Sequence, residues 1–270
     1  MRSSQHEPDL PPDRAGSRAE RLFAHEVLAV VFRVRGRALH VLLWQRAMAP
    51  SAGHWSLPGG PLEESELLGS SLSRHLAHKV ELKEIGFLEQ LETRSDVTRD
   101  PRGRVLATAY LALVSSEYDP TVPGDTKWCD VEDLPDLAFD HRSIIESARE
   151  RLRAKLTYTN VAFALAPKTF TVATLKSIYE ACLGHSVSAT NLQRVLIRRG
   201  TIESTNGVVA SSSLGGRPAT LYRFTHHHLR VTDPFAIFRP PHGAPSENLA
   251  PSGSPSRVAP STAVRGRAHR

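Results

Sequence analysis

One stretch constrains this chain more than any other: Gly53 to Leu82, GHWSLPGGPLEESELLGSSLSRHLAHKVEL. Pro58-Gly59-Gly60 is a turn that opens into a helix, because Leu62, Leu67, Leu68, Leu72 and Leu76 recur at helical spacing between Leu62 and Ala77. Glu63, Glu64 and Glu66 fall in the first turn of that helix, where the dipole favours acids. Positions 75, 78 and 79 share one face, as i, i+3 and i+4 neighbours. They hold His75, His78 and Lys79, two imidazoles and a permanent cation, which are poor ligands for Mg²⁺. This face reads as solvated, and no metal site is expected. What remains is a cradle for an anion: the backbone N–H groups of Gly59 and Gly60 at a helix N-terminus, with Arg46, Arg99, Arg102 and Arg104 in adjoining loops. Trp55 and Tyr110 are the aromatic side chains placed to stack on a base.

The flanks of this stretch read as an α/β domain. His25 to Arg33 and Ala38 to Gln45 are apolar, β-branched runs around the turn Val34-Arg35-Gly36-Arg37, and Glu84 to Ser95 and Arg104 to Val114 form a second pair around a polar Asp-Pro and Gly turn. Asp140 is the expected N-cap of a helix from His141 to about Lys155, with Ile144, Ile145, Ala148 and Leu152 on one face. Strands, one helix, more strands and a closing helix predict a mixed sheet between helices. Cys129 and Cys182 are the two cysteines. They lie far apart and without metal-ligand spacing, which excludes a disulfide framework or zinc knuckle and fits a reducing cytoplasm. No apolar run approaches the roughly 18 residues of a membrane span.

The second half changes character. Between Thr157 and Arg230 stand Lys168, Lys176, Arg194, Arg198, Arg199, Arg217, Arg223 and Arg230 against Glu180 and Glu203, a bias that suits a polyanion partner, as does the net charge of +6. Three short helices are legible, Asn160 to Leu165, Val172 to Leu183 capped by Thr171, and Ala189 to Arg199 capped by Ser188. Two β-like stretches follow, Thr201 to Ser204 and Ala219 to Thr225, and the set spells a winged helix-turn-helix. In the third helix Leu192, Val195 and Leu196 mark the buried side, while Asn191, Arg194 and Arg198 face outward as a recognition helix requires. Thr190, Gln193, Lys176 and Lys168 supply supporting contacts, and Arg217 stands at the wing tip. His226-His227-His228 alternates faces on a strand and reads as a polar end to the wing, not a metal tract. The expected organisation is a disordered leader at 1–24, an effector-binding domain at 25–155, a DNA-binding domain at 156–232 and a disordered Pro/Ser/Arg-rich tail at 233–270.

The Gly53 to Leu82 stretch resembles the Nudix signature. Gly60, Glu66, Arg74, Leu76 and Leu82 fit, whereas His75 and the pair His78-Lys79 stand where that family places its metal-binding acids, and Glu81 takes its glycine slot. With Leu137-Ala138-Phe139-Asp140-His141, Gly216-Arg217-Pro218-Ala219 and Leu221-Tyr222-Arg223-Phe224, the whole is similar to the Nudix-related transcriptional regulators of NAD metabolism, the NrtR family. The resemblance implies an α/β Nudix-like α/β/α sandwich with a C-terminal winged helix-turn-helix domain. It also implies a homodimeric repressor of NAD biosynthesis or salvage genes, a palindromic DNA operator, ADP-ribose as effector and no required cofactor. The missing acids argue for sensing without turnover. The competing readings are a Nudix hydrolase of ADP-ribose or another nucleoside diphosphate derivative, and a nucleotide-binding scaffold for protein partners.

Overall fold

The first strand shows why a sheet forms and where it sits. In β1 (Ala24–Arg35), Leu28, Val30 and Phe32 enter one core layer and Val27, Ala29 and Val31 the other, so the strand reads as an almost unbroken apolar run because both its faces are covered. β1 pairs antiparallel with β2 (Ala38–Gln45) and parallel with β6 (Val105–Leu113), and β6 carries the edge strand β5 (Phe87–Arg94). Short β3 (Trp55–Ser56) and β7 (Thr126–Asp130) pair with β2, and β4 (Gly59–Pro61) pairs with β1. The result is a seven-stranded mixed sheet. Helix α1 (Leu68–Val80) covers one face through Leu72, Leu76 and Val80, and α2 (His141–Tyr158) the other through Ile144, Ile145, Ala148 and Leu152. This is the expected α/β/α sandwich.

The computed structural model describes residues 23–209 and 218–233. The expected leader up to residue 22 and the tail beyond 233 lie outside the described residues, as does Arg217. Among the described residues no helix is long and apolar enough to cross a membrane.

After α2 the chain makes a fully buried 3-10 turn at Val161–Ala164, then α3 (Val172–Leu183), α4 (Ala189–Arg198), β8 (Ile202–Val209) and β9 (Ala219–Phe224). The caps expected for α3 and α4 are made: the Thr171 side chain accepts from Thr174 N–H and that of Ser188 from Asn191 N–H. β8 and β9 form the antiparallel wing, and Phe170 extends it by exchanging two backbone hydrogen bonds with Tyr222. One continuous apolar core joins the sheet to the wing, running through Phe32, Leu152, Phe163, Ile178, Leu196 and Phe224. Residues 226–233 then fold back onto the junction. The buried Asn160 amide nitrogen donates to the carbonyls of His226 and His228, its oxygen accepts from Arg230 N–H, and Thr232 N–H donates to Tyr158 O. Two of the three adjacent histidines, His226 and His228, therefore contribute backbone to a clasp.

Several expectations are corrected. The signature helix begins at Leu68, not Leu62, because Leu62 N–H continues the pairing of β4 with β1 by donating to His25 O. The acids 63, 64 and 66 thus precede the helix, and Glu66 is held by Arg74 at 2.7 Å in place of the dipole. Gly59 and Gly60 lie in a strand, not at a helix N-terminus. Asp140 precedes α2 without a side-chain capping bond, since its carboxylate is taken by Arg99, and α2 runs on to Tyr158. The segment expected as a helix from Asn160 is the single 3-10 turn. The first wing strand continues past Ser204 to Val209, with an irregular register between Ser204 and Val208.

Candidate functional site

The signature glycines are required by packing. A Cβ on Gly59 would come within 2.1 Å of Val27 O, and one on Gly60 within 2.5 Å of the His75 ring. His75 is buried at 5% exposure, and its Nε2 donates to Pro61 O at 3.0 Å. Burial lowers its pKa below the ordinary histidine value, ahead of the repulsion from Arg74 and Lys79. His75 is therefore a neutral strut between α1 and β4. Of the face read as solvated, only His78 is exposed, because His75 and Lys79 stand at i+3 from Leu72 and Leu76, beside the buried stripe of α1, and reach the β4 carbonyls of Pro61 and Gly59.

Lys79 enters a cavity of about 360 Å³ walled by Glu26, Trp44, Arg46, Met48, Gly59, Gly60, Arg102, Phe139 and His141, among others. Its ammonium donates to Gly59 O at 2.7 Å and stands 4.3 Å over the Trp44 ring. Arg46 lies 4.7 Å over Phe139 and donates from Nε to Pro50 O. Phe139 holds a left-handed backbone, φ 55°, a costly conformation for an aromatic residue that turns up at binding sites. Arg102 is compensated: it grips Asp100 at 2.5 Å and Glu26 at 2.9 Å, which raises its pKa and lowers that of Asp100. Arg46 and Lys79 have no carboxylate ion-pair partner among the described residues. Both have pKa values lowered by burial first, then by a neighbouring cation, Arg102 for Arg46 and Arg46 for Lys79. Glu26 in the wall acts on both more weakly than burial does, so the cavity carries positive charge that its own walls neutralise only in part, the condition under which an anion is attracted.

His141 is fully buried in the same wall, and burial pushes its pKa down to about 3. Its Nδ1 accepts from Leu57 N–H at 3.0 Å, which leaves the proton on Nε2, and that N–H has no acceptor among the described residues. A Mg²⁺ ion of the kind a Nudix hydrolase uses does not fit these residues. Glu63 and Glu66 are tied to Arg74 and Glu26 to Arg102, and no cluster of three or more His, Cys, Asp or Glu among the described residues could hold a metal.

Of the expected effector residues, Arg46, Gly59, Gly60 and Arg102 meet at the cavity. Trp55, Arg99, Arg104 and Tyr110 do not line it. Trp55 packs on the core beneath Lys127, Tyr110 packs on the α1 side of the sheet, and Arg104 stands over Phe23. The Arg99 side chain is 2% exposed and bound to Asp140, so it braces the start of α2. Sequence reading missed Glu26, Trp44, Met48, Phe139 and His141 as wall residues. Phe139 and His141 sat within a quoted motif, while Trp44 ends an apolar strand and carries no local signal.

The second site is the outer face of α4. Leu192 and Leu196 are buried, leaving Thr190, Asn191, Arg194 and Arg198 exposed, with Arg194 bonded to Asn191 at 2.9 Å. Two expected helpers are engaged elsewhere. Gln193 donates to the Tyr222 hydroxyl at 2.7 Å, and Lys176 pairs with Glu180 at 2.6 Å on the side of α3 that meets Arg37 and Asp130. Lys168 is exposed, in a crevice with Lys83, Tyr118 and His227.

Sandwich, cationic cavity and basic helix with its wing define a Nudix domain joined to a DNA-binding winged helix. The Nudix domain profile matches residues 23–148, and the profile of the NrtR DNA-binding winged helix domain matches 162–224. An ADPR responsive transcriptional repressor, NtrR, of Acinetobacter baylyi is 35% identical over 201 residues, covering 72% of this chain and 79% of that one. The chain belongs to the NrtR family, as its broken signature and wing led us to expect. Crystal structures of Shewanella oneidensis NrtR agree: in complex with a 27mer DNA, 34% identity and TM-score 0.63 over 74% of this chain and 92% of that one, and without DNA, 32% identity and the same TM-score, over 74% and 93%. An ADP-ribose pyrophosphatase of Methanocaldococcus jannaschii is 29% identical over 132 residues, 47% of this chain and 75% of that one.

Proposed function

We propose that this protein is a cytoplasmic, homodimeric repressor of NAD biosynthesis or salvage genes that senses ADP-ribose in the Nudix cavity and binds a palindromic operator through α4. Residues 25–155 serve as the effector domain and 156–232 as the DNA-binding domain. Arg46, Lys79 and Arg102 hold the diphosphate. Asn191, Arg194 and Arg198 meet the major groove, where arginine pairs with guanine and asparagine with adenine. Thr190, Lys168 and Arg217 add backbone contacts. The observation that carries this reading is the pairing of an under-neutralised cationic cavity with an exposed basic helix on one shared core. ADP-ribose binds one relative orientation of the two halves better than the other, and that difference in affinity sets the shift in DNA affinity. In a dimer, a change in the spacing of the two recognition helices is enough to weaken or strengthen the complex.

The test is a footprint of the protein on DNA upstream of its own gene across an ADP-ribose titration. A changing footprint supports the proposal, and an unaltered footprint with unaltered affinity sinks it. The likeness to an ADP-ribose pyrophosphatase keeps a hydrolase as the second reading. His75, His78 and Lys79 speak against it, and Mg²⁺- or Mn²⁺-dependent release of AMP from ADP-ribose would reverse that judgement.

A further inference from the structure

Pyrophosphate bonds are ordinarily handled with a divalent ion that neutralises the phosphoryl oxygens. Here the wall of the cavity disagrees with such an ion. An ion placed near Gly59 would face the Lys79 ammonium 2.7 Å from the Gly59 carbonyl, with Arg46 next to it. The carboxylate available in the wall, Glu26, is already held by Arg102 at 2.9 Å. The position that would supply a carboxylate to the ion supplies a positive charge.

We infer that the cavity binds a nucleoside diphosphate derivative without any divalent cation, with Lys79 and Arg46 providing the charge that an ion would otherwise bring. The inference rests on the effector reading above and deepens it. Three independent features support it. Lys79 is held in place from two sides, by the Gly59 carbonyl and the Trp44 ring, so its charge is oriented before a ligand arrives. Arg46 has room for a bidentate grip, since the one hydrogen bond of its side chain among the described residues, to Pro50 O, uses Nε and leaves both terminal nitrogens unused there. The Nε2–H of His141 is a fixed donor in the wall with no acceptor among the described residues, the mark of a site completed by a ligand or an ordered water. An ion-free site has a functional consequence. Without a metal to generate hydroxide, the diphosphate is held and not cleaved, and occupancy tracks ligand concentration alone.

The experiment is calorimetry on the full chain with two probes, ADP-ribose and ADP, each in excess EDTA and again in excess Mg²⁺. We expect ADP-ribose affinity to agree within about twofold between the buffers, and Lys79→Met to weaken it by about tenfold in both, the loss of one charge-assisted contact. Lys79→Glu should abolish binding in EDTA and recover part of it with Mg²⁺. ADP-ribose binding that requires Mg²⁺ overturns the inference and leaves the effector reading standing. Ion-free binding of ADP without binding of ADP-ribose does the reverse. Failure of both probes in both buffers overturns both. The wild-type comparison of buffers decides the matter even if a Lys79 variant does not fold.

Discussion

The two cationic surfaces of this molecule are built in opposite ways. In the cavity, Lys79 and Arg46 are partly buried, lie on aromatic rings and are fixed by backbone carbonyls. On α4, Arg194 and Arg198 are exposed, and the hydrogen bond of Arg194 is to its helix neighbour Asn191. The first arrangement gives up conformational freedom in advance and suits one small anion of fixed shape. The second keeps long side chains free to follow a groove, and its attraction to phosphates is shared with salt. The contrast teaches that positive charge alone does not name a ligand; burial and prior engagement of the charge do.

The largest effect should come from the exposed surface. Arg194→Ala with Arg198→Ala is expected to cost about 2–6 kcal/mol of DNA binding, two base or phosphate contacts at roughly 1–3 kcal/mol each, with ADP-ribose affinity unchanged by calorimetry. A loss on both sides would break the comparison. DNA affinity should also fall steeply with salt in a gel-shift or anisotropy series, and ADP-ribose affinity much less.

The pH response separates the surfaces further. His141 is neutral when buried and titrates near 3 in the folded chain, so below the unfolded histidine value of about 6.5 the unfolded chain takes up the proton first. Stability is complete above that value and declines as pH falls towards 3, by about 2 kcal/mol at pH 5. His141→Gln should flatten this slope in urea titrations at pH 7 and pH 5, whereas Arg198→Ala should leave it as it is.

The junction belongs to neither surface. Asn160→Ala removes three hydrogen bonds to the returning segment and should cost roughly 1–3 kcal/mol of stability. If the clasp also fixes the relative orientation of the halves, the coupling between ADP-ribose and DNA should weaken with it. Smallest is Thr171→Ala, the loss of one helix cap, at about 1 kcal/mol, read by thermal unfolding with ADP-ribose affinity intact.

How much of this was legible before the structure depended on whether the cause was local. Helix α3 was read at its full extent, 172–183, because the Thr171 cap and the apolar spacing are local signals, and Gly184 closes it in the left-handed conformation that glycine favours. The α1 start was misread, since Leu62 and three glutamates look helical until β1 recruits Gly59–Pro61 as a strand. Half of the cavity went unseen for a related reason. Trp44 and Phe139 are brought to it by the sheet and by the strained turn before α2; nothing near Trp44 announces that meeting, and the motif around Phe139 does not say which cavity its ring enters. Lys79 was legible as a lost metal ligand but not as a partly buried charge, because its partners, the Gly59 carbonyl and the Trp44 ring, are brought to it by the sheet. Likewise Gln193 looked available on a helical wheel and was taken by Tyr222 across the fold, whereas Lys176 is taken by Glu180 one turn along the same helix, a local pair that the wheel could have shown.

The central claim is that cavity and helix face are opposite in construction yet coupled through one core. Reciprocity of linked binding tests it most directly: ADP-ribose affinity is measured on the free protein and on protein saturated with operator DNA, both in EDTA. The account predicts two different affinities, whose ratio equals the factor by which ADP-ribose shifts DNA affinity. Equal ADP-ribose affinities in the two states would contradict it.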